Sequence, residues 1–315
     1  MNHLLLFFVY IAAFVGLWYG SGLIITAVKI LAQKIRIPAF AFSFFVLGLM
    51  TSIPEMAVGI NALGAGYPEV FVGNLLGGII VMFLLVIPLL AVINKKIQVK
   101  KHLSDSKLLI TLVIIALPAF FTLDQVVTNT EATILVALYA VLFFIIRTKE
   151  NIFARMQHII HSGQHIHMLR VLLRLVLGVG LVYLTSQYIV QQTIAFSEFW
   201  NISTFVISLV VLGVGTNLPE ISLALRSFKH KAQDIALGDY LGSAATNTML
   251  FGVFSLFNDG HVVTEKSFVI TFFIIIFALG MFFAMIRHNR SLSRANGLAL
   301  LACYMIFLAY EYTNL

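Results

Sequence analysis

The sequence predicts an all-α polytopic membrane protein: ten transmembrane helices in two inverted five-helix repeats, both termini outside. Three observations carry that expectation. Of 315 residues, 60% are hydrophobic and only 10% charged, with a mean hydropathy of +1.00. A soluble domain has about 25% charged residues, and one this apolar could not cover its surface with polar groups. Apolar windows of about 20 residues, enough to cross a bilayer, recur ten times. Basic residues fall on alternate sides of those windows, as the positive-inside rule requires.

The windows are 4–28, 39–63, 69–94, 107–123, 127–147, 171–192, 203–226, 234–257, 267–287 and 292–312. The N-terminus lacks a basic segment and a small-residue cleavage site, so the first window reads as a retained span. Only 148–170 makes a long connection. It divides the chain into a first five-helix repeat (1–147), a basic, His-containing cytoplasmic loop (148–170) and a second five-helix repeat (171–315). With the N-terminus outside, nineteen of the twenty Lys and Arg lie in inner loops and only Lys266 lies outside. The outer loops hold Glu69, Asp124, Glu131, Glu198, Asp259, Glu265 and Glu311. A wrong span count would scramble this alternation. The net charge of +7 therefore reads as membrane topology, with no nucleic-acid partner. The lone Cys303 excludes an intramolecular disulfide and sits in an apolar run as packing. A multi-pass protein of the plasma (inner) membrane is expected, in contact with the lipid bilayer.

Three acids remain inside the spans: Glu55, Glu220 and Asp239. An ionisable group there costs several kcal/mol unless paired or hydrated, so each is a candidate functional residue. Glu55 and Glu220 are also 165 residues apart, and the same offset aligns their surroundings. "GLMTSIPE" from Gly48 matches "GVGTNLPE" from Gly213, and "GNLLGGIIVM" from Gly73 matches "GDYLGSAATN" from Gly238. Seven positions are identical without a gap. The halves are duplicated, and an odd number of spans per half puts the copies in opposite orientations. Inverted repeats build transporters, with a midplane site formed by interrupted helices.

Pro54 and Pro219 supply the interruptions, since proline removes an N–H and clashes one turn earlier in a helix. Broken backbone at this depth is tolerated only where it lines a cavity. Thr51, Ser52, Thr216 and Asn217 add neutral ligand atoms within the same turns. Carboxylate, hydroxyl and carbonyl oxygens together suit hard cations such as Na⁺ or Ca²⁺. Two carboxylates balance one divalent ion or two monovalent ones. The glycines Gly73, Gly77, Gly78, Gly238 and Gly242 read mainly as close helix packing.

These motifs resemble the two alpha-repeats of the cation/calcium exchanger superfamily, the sodium/calcium exchanger-like antiporters. That family carries a G-T-S-[LA]-P-E signature in one helix of each repeat and a G-N/D-x-x-G-S-N-x-x-N/D-like signature in the next. The resemblance implies ten spans, a first and sixth span that slide as a long tilted pair, and Glu55 and Glu220 as central acidic ligands. By the same resemblance Thr51, Ser52, Thr216, Asn217, Ser243 and Asn247 are their neighbouring ligands. This chain departs from the pattern at Gly78, where the family has a serine, and at Met82, where it has an asparagine or aspartate. Ile79 and Ala244 replace the asparagine after the serine, Asn217 a serine, and Met50 a glycine. The half-site of Thr51, Ser52, Glu55 and Ser243 is complete. Its mirror of Thr216, Asn217, Glu220 and Gly78 lacks a hydroxyl, so fewer Na⁺ sites are expected. Asn74 and Asp239, equivalent in the repeat, are expected to bond between helices rather than ligate.

His158, His161, His165 and His167 read as part of a basic amphipathic segment at the inner surface, with a metal or pH-sensing patch as the alternative. Na⁺/Ca²⁺ exchange by alternating access is the leading function. Cation/H⁺ exchange, a divergent member with altered selectivity or stoichiometry, and a non-transporting membrane protein stand as alternatives. No nucleophile–base pair or nucleotide motif points to an enzyme, and no cofactor beyond the transported Ca²⁺ and Na⁺ (or H⁺) is implied.

Overall fold

The computed structural model describes residues 3–32, 43–94, 96–98, 104–146, 168–221, 233–258, 261–263, 268–289 and 291–313. The histidines of 158–167 lie outside them. Helix α1 (His3–Ala32) is followed by α2 (Ser43–Thr51) and α3 (Ile53–Ala65), the two limbs of one span bent by 47°. Gly66 closes α3 at φ +77°, a left-handed cap that favours glycine. Pro68 then opens α4 (Pro68–Asn94). Next come β1 (Lys96–Gln98), α5 (Asp105–Phe121), β2 (Val126–Thr128) and α6 (Asn129–Ile146). The second half runs through α7 (Met168–Trp200), α8 (Thr204–Thr216), a helical stretch at 218–221, and α9 (Gln233–Phe257). It ends with β3 (His261–Val263), α10 (Val269–Asn289), β4 (Ser291–Ser293) and α11 (Arg294–Thr313).

Among the described residues, five helices are long and apolar enough to cross a membrane: within α1 and α7, and α4, α6 and α10. The bent pair α2–α3 makes a sixth. An apolar helix either faces lipid or is buried on every side, and both kinds occur. Residues 70–84 of α4 are buried without a break. By contrast α7 exposes Leu173, Val176, Leu177 and Leu184. Helix α9 runs through the centre, packed on α2, α4, α5 and α6, while α4 packs on α8 and α11.

The long helices α1 and α7 lie against each other. Gly20 and Gly178 let them approach: a Cβ on Gly20 would sit 3.1 Å from the Gly178 carbonyl, and one on Gly178 would sit 2.9 Å from that of Gly20. Farther along, the Tyr10 and Thr193 hydroxyls share a 2.8 Å hydrogen bond.

Two short antiparallel ribbons, which the helical periodicity does not foreshadow, tie the halves together. Lys96, Ile97 and Gln98 face Ser293, Leu292 and Ser291, while Val126, Val127 and Thr128 face Val263, Val262 and His261. Shifting β1 by 165 residues gives β3, and shifting β2 gives β4. Each ribbon therefore joins one strand from each half, and the repeat offset exchanges one ribbon for the other. One helix, α5, separates β1 from β2, and one helix, α10, separates β3 from β4.

Candidate functional site

Both interrupted helices break in the same way. A π-helical turn at Ser43–Leu47 precedes the first break, and one at Ser208–Leu212 precedes the second. The two turns are 165 residues apart, and such wide turns recur at functional sites. The chain then leaves helical geometry at Ser52 (φ −80°, ψ 9°) and at Asn217 (φ −83°, ψ 14°). The break thus falls two residues before each proline rather than at it. Pro54 stands in the first turn of α3, where a missing N–H costs nothing. Its role is to start the second limb.

Glycines bring the broken helices onto their neighbours. Gly48 of α2 abuts Gly242 of α9, and Gly213 of α8 abuts Gly77 of α4. These two crossings exchange under the 165-residue shift, as do two bonds beside them. Thr51 donates to Asp239 Oδ1 at 3.2 Å, and Thr216 donates to Asn74 Oδ1 at 3.1 Å. Asn74 and Asp239 thus make the interhelical bonds expected of them.

The breaks bring Glu55 and Glu220 into one buried centre, each wholly inaccessible to solvent and near enough to feel the other's charge. Thr51, Ser52, Thr216, Asn217, Ser243 and Asn247 are all buried there too. Ser243 donates to Glu220 Oε1 at 2.9 Å and meets the Ser52 hydroxyl at 3.1 Å. Ser52 reaches the Gly48 carbonyl at 2.9 Å. The Tyr240 hydroxyl, which the sequence did not flag, reaches the Glu220 carbonyl at 3.4 Å.

The two half-sites are unequal. Ser243 was expected beside Glu55; it does touch Ser52, but it donates to Glu220, the charged acceptor within its reach. Its repeat counterpart is Gly78, which has no donor to offer Glu55. Asn217 and Asn247 close over that gap: a Cβ on Gly78 would lie 3.2 Å from Asn217 Nδ2 and 2.9 Å from Asn247 Nδ2. Asn217 spends its Nδ2 on the Gly213 carbonyl at 2.7 Å, so the longer amide at 217 takes up the room that the missing side chain at 78 leaves. Met82, the counterpart of Asn247, is fully buried at the start of a third π-helical turn, Met82–Val86. Helix α9 shows no such turn.

Several polar atoms here have no hydrogen-bond partner among the described residues. They include both carboxylate oxygens of Glu55, Glu220 Oε2, Asn217 Oδ1 and Asn247 Oδ1. Burying five such oxygens unsatisfied would cost several kcal/mol. Among the described residues, no three His, Cys, Asp or Glu side chains gather as a transition-metal site would require. The donor set is oxygen-rich and fits a hard cation as cargo.

A family model for the sodium/calcium exchanger protein matches residues 5–147 and again 170–313. The chain belongs to that family. It is similar to a putative antiporter, CaxA, of Alkalimonas amylolytica: 24% identical, covering 97% of each chain. It is 22% identical to the inner membrane protein YrbG of Escherichia coli over 93% of each. It is 30% identical to the sodium/calcium exchanger MaX1 of Methanosarcina acetivorans, over 42% of this chain and 38% of that one. The fold matches the sodium-calcium exchanger NCX_Mj, solved after soaking with Na⁺ and Sr²⁺, at a TM-score of 0.68. That match has 22% identity and covers 97% of this chain and 98% of the other. The exchanger fold is therefore that of this chain: mostly helical, membrane-embedded and twofold repeated.

Proposed function

We propose that the chain is a secondary antiporter exchanging Ca²⁺ for Na⁺ by alternating access, at a midplane site built on Glu55 and Glu220. The observation that carries this reading is the group of five buried oxygens, three of them from Glu55 and Glu220, without hydrogen-bond partners among the described residues. Ca²⁺ takes about six to eight oxygens, and backbone carbonyls or water at the two breaks supply the remainder. Ser243 orients the Glu220 carboxylate, and Thr51, Ser52 and Thr216 offer further hydroxyl oxygens. Ten spans with both termini outside, halves meeting at 148–170, and a plasma-membrane location complete the proposal. The glycine-lined pair α1 and α7 is the sliding element. Proteoliposomes loaded with Na⁺ should take up radiolabelled Ca²⁺ from a Na⁺-free medium. Absence of Ca²⁺ flux under Na⁺, K⁺ and pH gradients alike would overturn the assignment.

Charge balance sets the stoichiometry. Two carboxylates match one Ca²⁺ or two Na⁺, and Met82 offers only a thioether, a poor ligand for either ion. Exchange should therefore be electroneutral, its rate unchanged by an imposed K⁺-diffusion potential. A rate that follows the potential contradicts this. Met82→Asn adds an amide oxygen where α9 already has one, and should make exchange potential-sensitive.

Cation/H⁺ exchange is the second reading, favoured by the losses at Gly78 and Met82. Na⁺ needs several oxygens around it, whereas a proton needs only the carboxylate. The comparison is Ca²⁺ uptake driven by a pH gradient without Na⁺ against uptake driven by Na⁺ at uniform pH. Gly78→Ser restores a donor to Glu55 but crowds the Asn217 and Asn247 amides. It should shift the relative rates of the two modes by severalfold, at about 1 kcal/mol per hydrogen bond gained or lost. An unchanged ratio would show that the asymmetry of the half-sites has no bearing on the coupling ion.

A further inference from the structure

Away from the ion site, α5 and α10 pack together but leave between them a wholly apolar cleft of about 320 Å³. Its floor is buried at Leu112, Ala116 and Leu279, while Leu109, Val113, Phe120 and Ile276 stand exposed along its rim. Gly280 opens the wall: a Cβ there would meet nothing within 4 Å. The lining runs from Leu109 to Phe120 on one helix and from Phe272 to Phe283 on the other. Eleven residues of helix rise about 16 Å, close to half of the roughly 30 Å hydrocarbon core. The cleft thus has the length of one leaflet.

Its two ends differ. Phe120 and Phe272 meet across one end with ring centroids 6.1 Å apart, closing it. At the other end the stripe of α10 continues, one helical turn beyond Phe283, to the exposed Arg287. Arginine pairs well with phosphate. In the orientation proposed above, the closed end faces outward and the arginine end faces the inner surface.

We propose that this cleft is a binding site for an inner-leaflet phospholipid: one acyl chain fills the groove up to Phe120 and Phe272, and the phosphate is held at Arg287. Leaflet length, an all-apolar lining and a single cationic end fit a lipid better than a second copy of the chain, which would have no phosphate to place there.

The test is photolabelling of the full-length protein by phosphatidylglycerol bearing a diazirine either at the acyl terminus or beside the glycerol. It is run without Na⁺ or Ca²⁺, so that its outcome is independent of transport. The terminal probe should label peptides containing Phe120 and Phe272, and the glycerol probe those around Phe283 and Arg287. Gly280→Phe, which fills open space, should cut labelling at both places at least about tenfold, as loss of about two buried methylenes already requires. Arg287→Gln should reduce it severalfold while leaving the fold intact. Labelling spread evenly over the exposed faces of α1, α6 and α7, a reversed order of the two probes, or labelling unchanged in Gly280→Phe would overturn the proposal. So would a dimer crosslinked through Val113→Cys, in a Cys303→Ser background, that excludes the lipid.

Discussion

Glu55→Gln should abolish Ca²⁺ flux and leave a folded protein in the membrane. The substitution is isosteric and removes one of two charges facing the cargo. Removing one partner from a buried ion pair costs about 3–5 kcal/mol, or about two to four powers of ten in affinity. The folded protein loses little, because neither Glu55 oxygen has a hydrogen bond to give up among the described residues. Thermal stability without Ca²⁺ should match or exceed wild type, while the stabilisation added by saturating Ca²⁺ disappears. Glu220→Gln should cost as much flux. It differs in one respect: the amide oxygen can keep the hydrogen bond from Ser243, so the geometry of that half-site survives. Flux above about a tenth of wild type in either variant would contradict the ligand roles.

The second large effect lies in packing. A Cβ on Gly242 would drive into the Phe44 carbonyl, and one on Gly77 into that of Leu209. Neither obstacle is the tip of a flexible side chain, so the helices must move apart. Overpacking of this kind costs about 1–3 kcal/mol or more. It also shifts the broken helices that carry Glu55 and Glu220. Gly242→Ala and Gly77→Ala should each lower the melting temperature by several degrees and reduce flux. Gly280→Ala, with open space around it, serves as the control and should do neither. Fluorescence-detected thermal unfolding in detergent, with yield of monodisperse protein, checks all three. Normal melting of Gly242→Ala would mean that α2 and α9 are not held at the distance described.

The sequence made much of this legible, and for a physical reason. A duplicated chain states each motif twice, so the offset between Glu55 and Glu220 exposes Thr51 with Thr216 and Gly48 with Gly213. The bonds of Thr51 to Asp239 and Thr216 to Asn74 follow the same symmetry, and a between-helix role for Asn74 and Asp239 was expected. What the repeat could not convey was which copy meets which. Gly48 touches Gly242 rather than its own counterpart, a contact between different motifs of different halves. The place of the breaks was also misread: proline marked them, but the helix ends at Ser52 and Asn217, and each proline begins the next limb. The ribbons escaped notice because three-residue strands have no periodicity to detect. One missed signal was present in the letters. Asn217 is longer than its counterpart Ser52, and Gly78 shorter than its counterpart Ser243. Paired changes of opposite size on two elements that meet are what a filled gap looks like.

The central claim is that Glu55 and Glu220 together hold the transported cation. Equilibrium binding of radiolabelled Ca²⁺ to the purified protein, titrated with Na⁺, tests it most directly. One Ca²⁺ per chain should bind, displaced by Na⁺ with a dependence on two ions, with no measurable site in Glu55→Gln or Glu220→Gln. Stoichiometric Ca²⁺ binding of unchanged affinity in both variants would contradict it.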